Sequence, residues 1–219
     1  MSVTIRGIGW VTVAGMGGGR GADGFSMPPG ELPKVKRKDV FNDAYLRFGR
    51  IDAFSKLGLA AITFALRDAG LEEWDVKRPI GVVAATRYGC LTTDSDYFDS
   101  VVPDHGALAS PNLFAYTLPN CFLGEAAIRF GLTGPSVVIN EETPDGLGGI
   151  RMALDLIRWG ECETVVAGVS DLERPAVANF GEQAPGSVFL VLSRDADAAG
   201  YGVLSRGDGG ELLSGGEVV

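Results

Sequence analysis

The sequence is poor in histidine, and this shortage limits the chemistry that the chain can perform. His105 is the single histidine among 219 residues. A Ser-His-Asp or Cys-His catalytic arrangement would have to use His105, and a metal site built from several histidines is excluded. His105 lies in the stretch VPDHGALASP, which has the composition of a loop. We therefore interpret it as a solvated side chain and predict no bound metal.

Cysteine is also scarce, and the three cysteines are Cys90, Cys121 and Cys162. An odd number at scattered positions favours a reducing compartment over a disulfide framework. No adjacent histidine or basic residue is present to lower the pKa of any of these thiols, so we interpret each as a small packed residue. The N-terminus, MSVTIRGIGW, lacks the charged start and long apolar core of a signal peptide, and we predict a cytoplasmic protein.

Basic residues and long apolar runs are limited as well. The 19 Lys and Arg residues are outnumbered by 28 Asp and Glu residues, and the net charge of −9 argues against a nucleic-acid partner. No apolar run reaches the roughly 18 residues needed to span a bilayer, so we predict no membrane partner. The short basic run KVKRK, residues 34–38, is predicted to be a solvated loop.

Glycine, in contrast, is abundant, with 32 residues. The cluster at 15–21 follows a predicted strand, where a phosphate-binding loop would lie. Such a loop must lead directly into a helix whose N-terminus holds the anion. Pro28 and Pro29 follow instead, and no G-K-[ST] motif is present, so we predict no nucleotide or other cofactor.

Apolar periodicity predicts strands that alternate with helices. The predicted strands are 3–14, 79–86, 136–140, 164–170 and 187–193, and the predicted helices are 52–69, 93–102, 124–130 and 143–159. Asp52 can cap the start of the first long helix, and Gly70 can end it. This alternation predicts an α/β fold with a mostly parallel sheet.

The turn INEETPDGLGG, residues 139–149, joins a predicted strand to a predicted helix, where many enzymes place a nucleophile. Thr143 is a suitable N-cap, and Pro144 is favoured at the first helical position. Glu141 and Glu142 precede them and complement the positive end of the helix dipole. The local chemistry therefore predicts a capped helix start.

Six stretches along the chain occur in a characteristic order: VTIRGIGWVTVAG, DAFSKLGLAAITFALRDAGL, RPIGVVAATRYGCLTT, LPNCFLGEAAIRFGLTGPSVVI, ALDLIRWGECETVVAGVSD and GEQAPGSVFLVLS. Together they resemble the motifs of the β-ketoacyl synthases, condensing enzymes of the thiolase fold. The resemblance implies half of a thiolase-like fold, with a mostly parallel five-stranded sheet and helices on both faces. It implies a synthase N-terminal-like domain over 1–206, and we predict a Gly-rich, flexible tail over 207–219.

Two departures from the family's pattern bear on function. The family's nucleophile elbow reads T-A-C-[ST]-[SA]-[GS], which puts its cysteine on Thr143 and its glycine on Gly146. A threonine hydroxyl is a poor substitute for a thiol because its pKa is far higher. Glu141 and Glu142 put negative charge where the family develops a thiolate and an oxyanion. The sequence also ends where the family's first half ends, before its paired histidines.

The resemblance therefore implies a protein without condensing activity, similar to the chain-length-factor subunits of fatty-acid or polyketide assembly. Its implied partners are a catalytic β-ketoacyl synthase or a second copy of the chain, with an acyl carrier protein as a further partner. The family dimerises along the strand after its G-P turn, and the corresponding interface residues here are Val137, Val138, Ile139 and Asn140.

Two alternatives remain open. The acidic group Glu141, Glu142 and Thr143 is compatible with acid-base processing of an acyl thioester. The other alternative is an acyl-binding or scaffold homodimer that has no synthase partner.

Overall fold

A mixed sheet forms the centre of the protein. A computed structural model describes residues 2–20, 28–103, 105–141, 146–172, 184–195, 200–207 and 209–219. Within these ranges the sheet has nine strands. They are β1 (Ser2–Thr12), β2 (Gly15–Gly18), β3 (Ile80–Thr86), β4 (Ser136–Asn140), β5 (Thr164–Asp171), β6 (Gly186–Ser193), β7 (Val203–Arg206), β8 (Leu212–Ser214) and β9 (Glu217–Val218).

The strand order is β4-β3-β5-β6-β1-β7-β8-β9, with β2 paired to the other end of β1. All five predicted strands are present, but the predicted count of five omits β2, β7, β8 and β9. The prediction of a mostly parallel sheet is wrong, because β3 pairs in parallel with β4 and β5 while every other pairing of the described strands is antiparallel. A strand that is buried on both faces has the same apolar pattern whichever way it runs, so the sequence did not indicate whether it pairs in parallel or antiparallel.

Six α-helices lie within the described ranges, together with a 3₁₀ helix at Leu46–Arg50. They are α1 (Arg37–Val40), α2 (Ala53–Asp68), α3 (Leu91–Val101), α4 (Pro111–Phe114), α5 (Cys121–Phe130) and α6 (Gly148–Trp159). The predicted caps of α2 are confirmed: the Asp52 carboxylate accepts a hydrogen bond from Ser55 N at 3.1 Å, and Gly70 has a φ of +68°. None of these helices is long and apolar enough to cross a membrane.

Helices cover both faces of the sheet, as predicted. On one face, α2 and α5 pack through aromatic contacts, with 5.3 Å between the ring centroids of Phe54 and Phe122 and 6.2 Å between Phe122 and Phe189 of β6. Gly58 of α2 makes room for the Phe122 ring, because a Cβ there would lie 2.5 Å from it. On the other face, α6 packs on β3 and β5 through the buried side chain of Ile157 and its neighbours.

The described residues of the predicted tail include two short strands, and the flexibility of the tail stays a prediction. In its described residues, β8 pairs with β7 and β9 pairs with β8, and the side chain of Leu212 is buried. These strands were not predicted because they are only three and two residues long and are separated by glycines. The domain boundary at residue 206 stays a prediction.

Candidate functional site

The carboxyl ends of β3, β4 and β5 meet at one edge of the sheet. Thr86 at the end of β3 pairs with Asn140 at the end of β4, and Ala85 pairs with Val169 of β5. Sites of α/β proteins form outside the carboxyl ends of parallel strands. The described ends of the turn between β4 and α6 lie at this edge, and the predicted elbow site stays a prediction.

The central part of this turn, with Glu142 and Thr143, lies outside the described residues. Gly146 adopts a left-handed conformation with a φ of +63°, and α6 begins at Gly148 with Leu147 at its N-cap. The predicted helix start at Thr143 lies outside the described residues; the described helix begins at Gly148, after a left-handed residue that a right-handed helix cannot include. Position 146 favours glycine for the same reason, since other residues are strained there.

Glu141 lies between the end of β4 and the start of α6. Its backbone N donates a hydrogen bond to Thr86 O at 2.9 Å, which continues the pairing of β4 with β3. Its carboxylate contacts Gly148 so closely that a Cβ at position 148 would overlap it. A Cβ at Gly149 would likewise lie 2.5 Å from Gly168 O of β5. The two glycines that begin α6 thus permit close approach of other groups of the chain. One of these groups is the Glu141 carboxylate at the helix N-terminus, where the dipole favours negative charge.

Asp171 at the end of β5 holds the turn that follows β3. Its buried carboxylate accepts hydrogen bonds from Thr86 Oγ1 at 2.8 Å, Arg87 N at 3.0 Å and Tyr88 N at 2.9 Å. Burial raises the pKa of Asp171, and the hydrogen bonds oppose that shift. This role was not predicted; the available signal was an acidic residue that ends the largely apolar strand TVVAGVSD.

The three thiols lie elsewhere. Cys90 is buried before α3 with its Sγ 3.6 Å from Asp94 Oδ2, and burial followed by the charge of Asp94 raises its pKa to about 12. Burial also raises the pKa of Cys121, at the start of α5, and of Cys162, between α6 and β5. A thiol with a raised pKa stays protonated and is a weak nucleophile. His105 is exposed in the loop after α3, as predicted.

A buried carboxylate cluster on α5 was not predicted. The Glu125 side chain accepts hydrogen bonds from Tyr45 Oη at 2.6 Å, Tyr116 Oη at 3.2 Å and Arg47 Nη2 at 2.8 Å. Glu125 is 5% exposed, and the Arg47 guanidinium balances its charge. Its partners are 9 to 80 residues away in sequence, so no local pattern indicated the cluster. Across the described ranges, no three His, Cys, Asp or Glu side chains are grouped in a way suited to a metal ion.

Strand β4 is an edge strand in the described part of the sheet. Val137, Val138 and Ile139 are half-buried, and β3 is its one partner there. Val82 N donates to Pro135 O, and Glu141 N donates to Thr86 O. Because backbone groups alternate along a strand, the N–H and C=O of Val138 face away from β3. The interface at Val137, Val138, Ile139 and Asn140 stays a prediction.

Residues 37–209 match the family model of the β-ketoacyl synthase N-terminal domain, and the chain belongs to this family. The chain is 34% identical over 100 residues to a putative polyketide β-ketoacyl synthase 1 of Streptomyces virginiae. The match covers 42% of this chain and 23% of that relative. The aligned residues therefore cover less than a quarter of this curated relative.

Solved structures share the fold. One is a type II polyketide acyl carrier protein in complex with its ketosynthase bound to the hexaketide. The match has a TM-score of 0.68 and 20% identity, and it covers 89% of this chain and 63% of that chain. Another is a ketosynthase in complex with its chain length factor from Xenorhabdus doucetiae. The match has a TM-score of 0.62 and 17% identity, and it covers 90% of this chain and 81% of that chain. The predicted thiolase-like α/β fold is confirmed.

Proposed function

We propose that this chain is a non-catalytic, β-ketoacyl-synthase-like subunit that pairs with a catalytic synthase in fatty-acid or polyketide assembly. The observation that carries the proposal is the placement of its thiols. Cys90, Cys121 and Cys162 all lie outside the turn between β4 and α6, where the family places its nucleophile. Burial raises the pKa of each, so none is primed to replace that nucleophile.

The apolar edge strand β4 supports the pairing. It carries no charge, proline or bulge, which are the devices that keep an edge strand from pairing with another chain. The outward N–H and C=O of Val138 offer hydrogen bonds to an added strand. The sequence-predicted interface of Val137, Val138, Ile139 and Asn140 therefore remains our candidate contact.

Exposed apolar side chains between α3 and α5 give further support. Each of Phe98, Val102, Leu108, Phe114 and Leu118 is more than half exposed. A contiguous patch of exposed apolar groups is typical of a surface that binds another protein. One fold neighbour was solved with its chain length factor and another with an acyl carrier protein. We extend both relationships to this chain, with the synthase as the main partner and the carrier protein as a second partner.

Co-expression tests the proposal. This chain, with an affinity tag, is expressed with a synthase that carries the elbow cysteine, and the purified sample is analysed by size-exclusion chromatography with light scattering. We expect a stable complex containing both chains, and a change in product chain length when this chain is omitted. Separate elution with an unchanged product would contradict the proposal.

The placement of Glu141 favours one alternative, an enzyme that processes acyl thioesters by acid-base chemistry. Its carboxylate contacts the first residue of α6 at the strand edge where sites form.

The same light-scattering measurement on this chain alone also tests the scaffold alternative, which requires a homodimer.

A further inference from the structure

A groove of about 350 Å³ lies between the first turn of α2 and the chain segment that precedes α1. It is formed by an extended segment before α1, by α2 itself and by the residue that follows β5. Its apolar lining consists of Leu32, Pro33, Val35, Ala53, Leu57 and Leu172. This volume is at the lower end of the range for small-molecule sites.

The base of the groove is continuous with the hydrophobic core. Leu57 is 2% exposed and belongs to the core, against which Leu32, Val35 and Leu172 pack while remaining only half-buried. An alkyl chain in the groove would therefore exchange water contacts for contacts with these side chains, and burial of apolar area favours that exchange.

Two lysines border this apolar lining. Lys34 is exposed, and Lys56 extends toward Phe48, with Nζ 5.7 Å from the ring centroid. Neither ammonium group forms an ion pair with any residue in the described ranges. Asp52 precedes Ala53, but its two carboxylate oxygens accept hydrogen bonds from Ser55 N and Thr93 Oγ1. Within the described ranges, neither lysine charge is therefore neutralised by a carboxylate.

The distribution of lysine in the sequence is unusual. The chain has a net charge of −9, yet four of its five lysines lie within residues 34–56, and the complete set is Lys34, Lys36, Lys38, Lys56 and Lys77. Local positive charge on an acidic protein raises the concentration of anions at that position. The run at residues 34–38, predicted to be only a solvated loop, thus contributes one border of an apolar groove.

We propose that this groove binds a monomeric amphipathic anion, in which a linear alkyl chain contacts the apolar lining and a carboxylate or phosphate headgroup pairs with Lys34 and Lys56. The apolar lining suits the alkyl chain of such a molecule, and the two lysines suit its anionic headgroup. This inference is independent of the proposed pairing with a synthase, because none of the lining residues belongs to β4 or to the turn that follows it.

Titration of the full chain with octanoate tests the proposal, with isothermal calorimetry for affinity and backbone amide NMR for location. We expect shifts at residues 32–35 and 53–57, and weaker binding of octanamide, which lacks the charge. Each methylene removed from the chain should weaken binding about fourfold. The Lys34→Gln/Lys56→Gln double variant should weaken it about three- to tenfold, whereas Lys77→Gln, the matched control, should leave it unchanged.

A second variant tests the groove without removing charge. Ala53 is exposed, so Ala53→Phe fills the groove without deleting a buried contact, and it should abolish octanoate binding while the fold is kept. Equal affinity of the double lysine variant and Lys77→Gln would overturn the proposal, as would amide shifts confined to other regions or no binding at millimolar octanoate. Binding to anionic lipid vesicles without binding of octanoate would also overturn it.

Discussion

The carboxylate of Asp171 accepts a hydrogen bond from Thr86 Oγ1 at 2.8 Å, which joins the ends of the parallel strands β5 and β3. Gly89 N in turn donates to the same Thr86 Oγ1 at 2.8 Å. One buried acidic side chain therefore organises the turn between β3 and α3. Thr86 also accepts a hydrogen bond through its carbonyl from Glu141 N at 2.9 Å, at the end of β4.

Replacing Asp171 with alanine should destabilise the fold strongly. The Asp171→Ala variant leaves buried donors without an acceptor, and we expect a loss of about 2–4 kcal/mol in the free energy of unfolding. Urea unfolding measures this loss. The control is Asp75→Ala, at an exposed turn position, which should change stability by less than about 0.5 kcal/mol. Equal effects of the two variants would contradict the role given to Asp171.

Stability should fall at alkaline pH because of the Glu125 cluster. Burial and then the charge of Glu125 raise the pKa of Tyr116 to about 12, above the usual value of about 10 in the unfolded chain. The resulting stabilisation is complete below about pH 10 and is lost as the pH rises through about 12, by about 2 kcal/mol. Urea unfolding across this range should show a shallower decline for Tyr116→Phe, and identical slopes would rule out the tyrosine as the cause.

The three thiols should differ in reactivity toward iodoacetamide. Cys121 is half-buried, whereas Cys90 and Cys162 are buried, and the pKa of Cys90 is raised to about 12. We expect mass spectrometry at mildly alkaline pH to find Cys121 modified first in the folded protein. Cys90 and Cys162 should react at a comparable rate only after urea unfolding. Rapid modification of Cys90 in the folded state would show that its thiol is accessible and ionised, contrary to its environment.

A proline on the edge strand should block pairing with another chain. Because the N–H of Val138 faces away from β3, Val138→Pro removes an outward donor while the pairing of β4 with β3 is kept. The variant should lose association with a synthase in the co-expression experiment. Val138→Thr, which keeps the N–H and the branched shape, should retain it. Association of the proline variant at wild-type strength would place the interface elsewhere.

Thioester hydrolysis should be insensitive to Glu141. If the chain is non-catalytic, the rate of acyl-thioester hydrolysis by the purified protein should equal that of Glu141→Gln and of buffer alone. Thiol release measured with a chromogenic reagent gives this rate. A rate clearly above buffer that falls about 100-fold in the variant, as expected on loss of a general acid or base, would support the acid-base alternative instead.

The sequence predicted the elements with strong local signals. The strand at 136–140 was predicted with its observed bounds, and α2 was predicted within one residue at each end, because capping and apolar periodicity are local properties. The end of α6 was also correct, since Gly160 adopts a φ of +80° after Trp159. Its predicted start at Thr143 lies outside the described residues, and the described helix begins at Gly148, after the left-handed Gly146.

The sequence by itself determined the family, the five main strands and the absence of cysteine from the turn at residues 139–149, because each depends on residue type and order along the chain. Only the tertiary structure decided the mixed strand directions, the anchoring of β3 by Asp171, the cluster at Glu125 and the lysine-bordered groove. Each of these joins residues far apart in sequence, such as Thr86 and Asp171, which are separated by 85 positions. Contacts of that kind depend on how the sheet and helices pack, which no local pattern specifies.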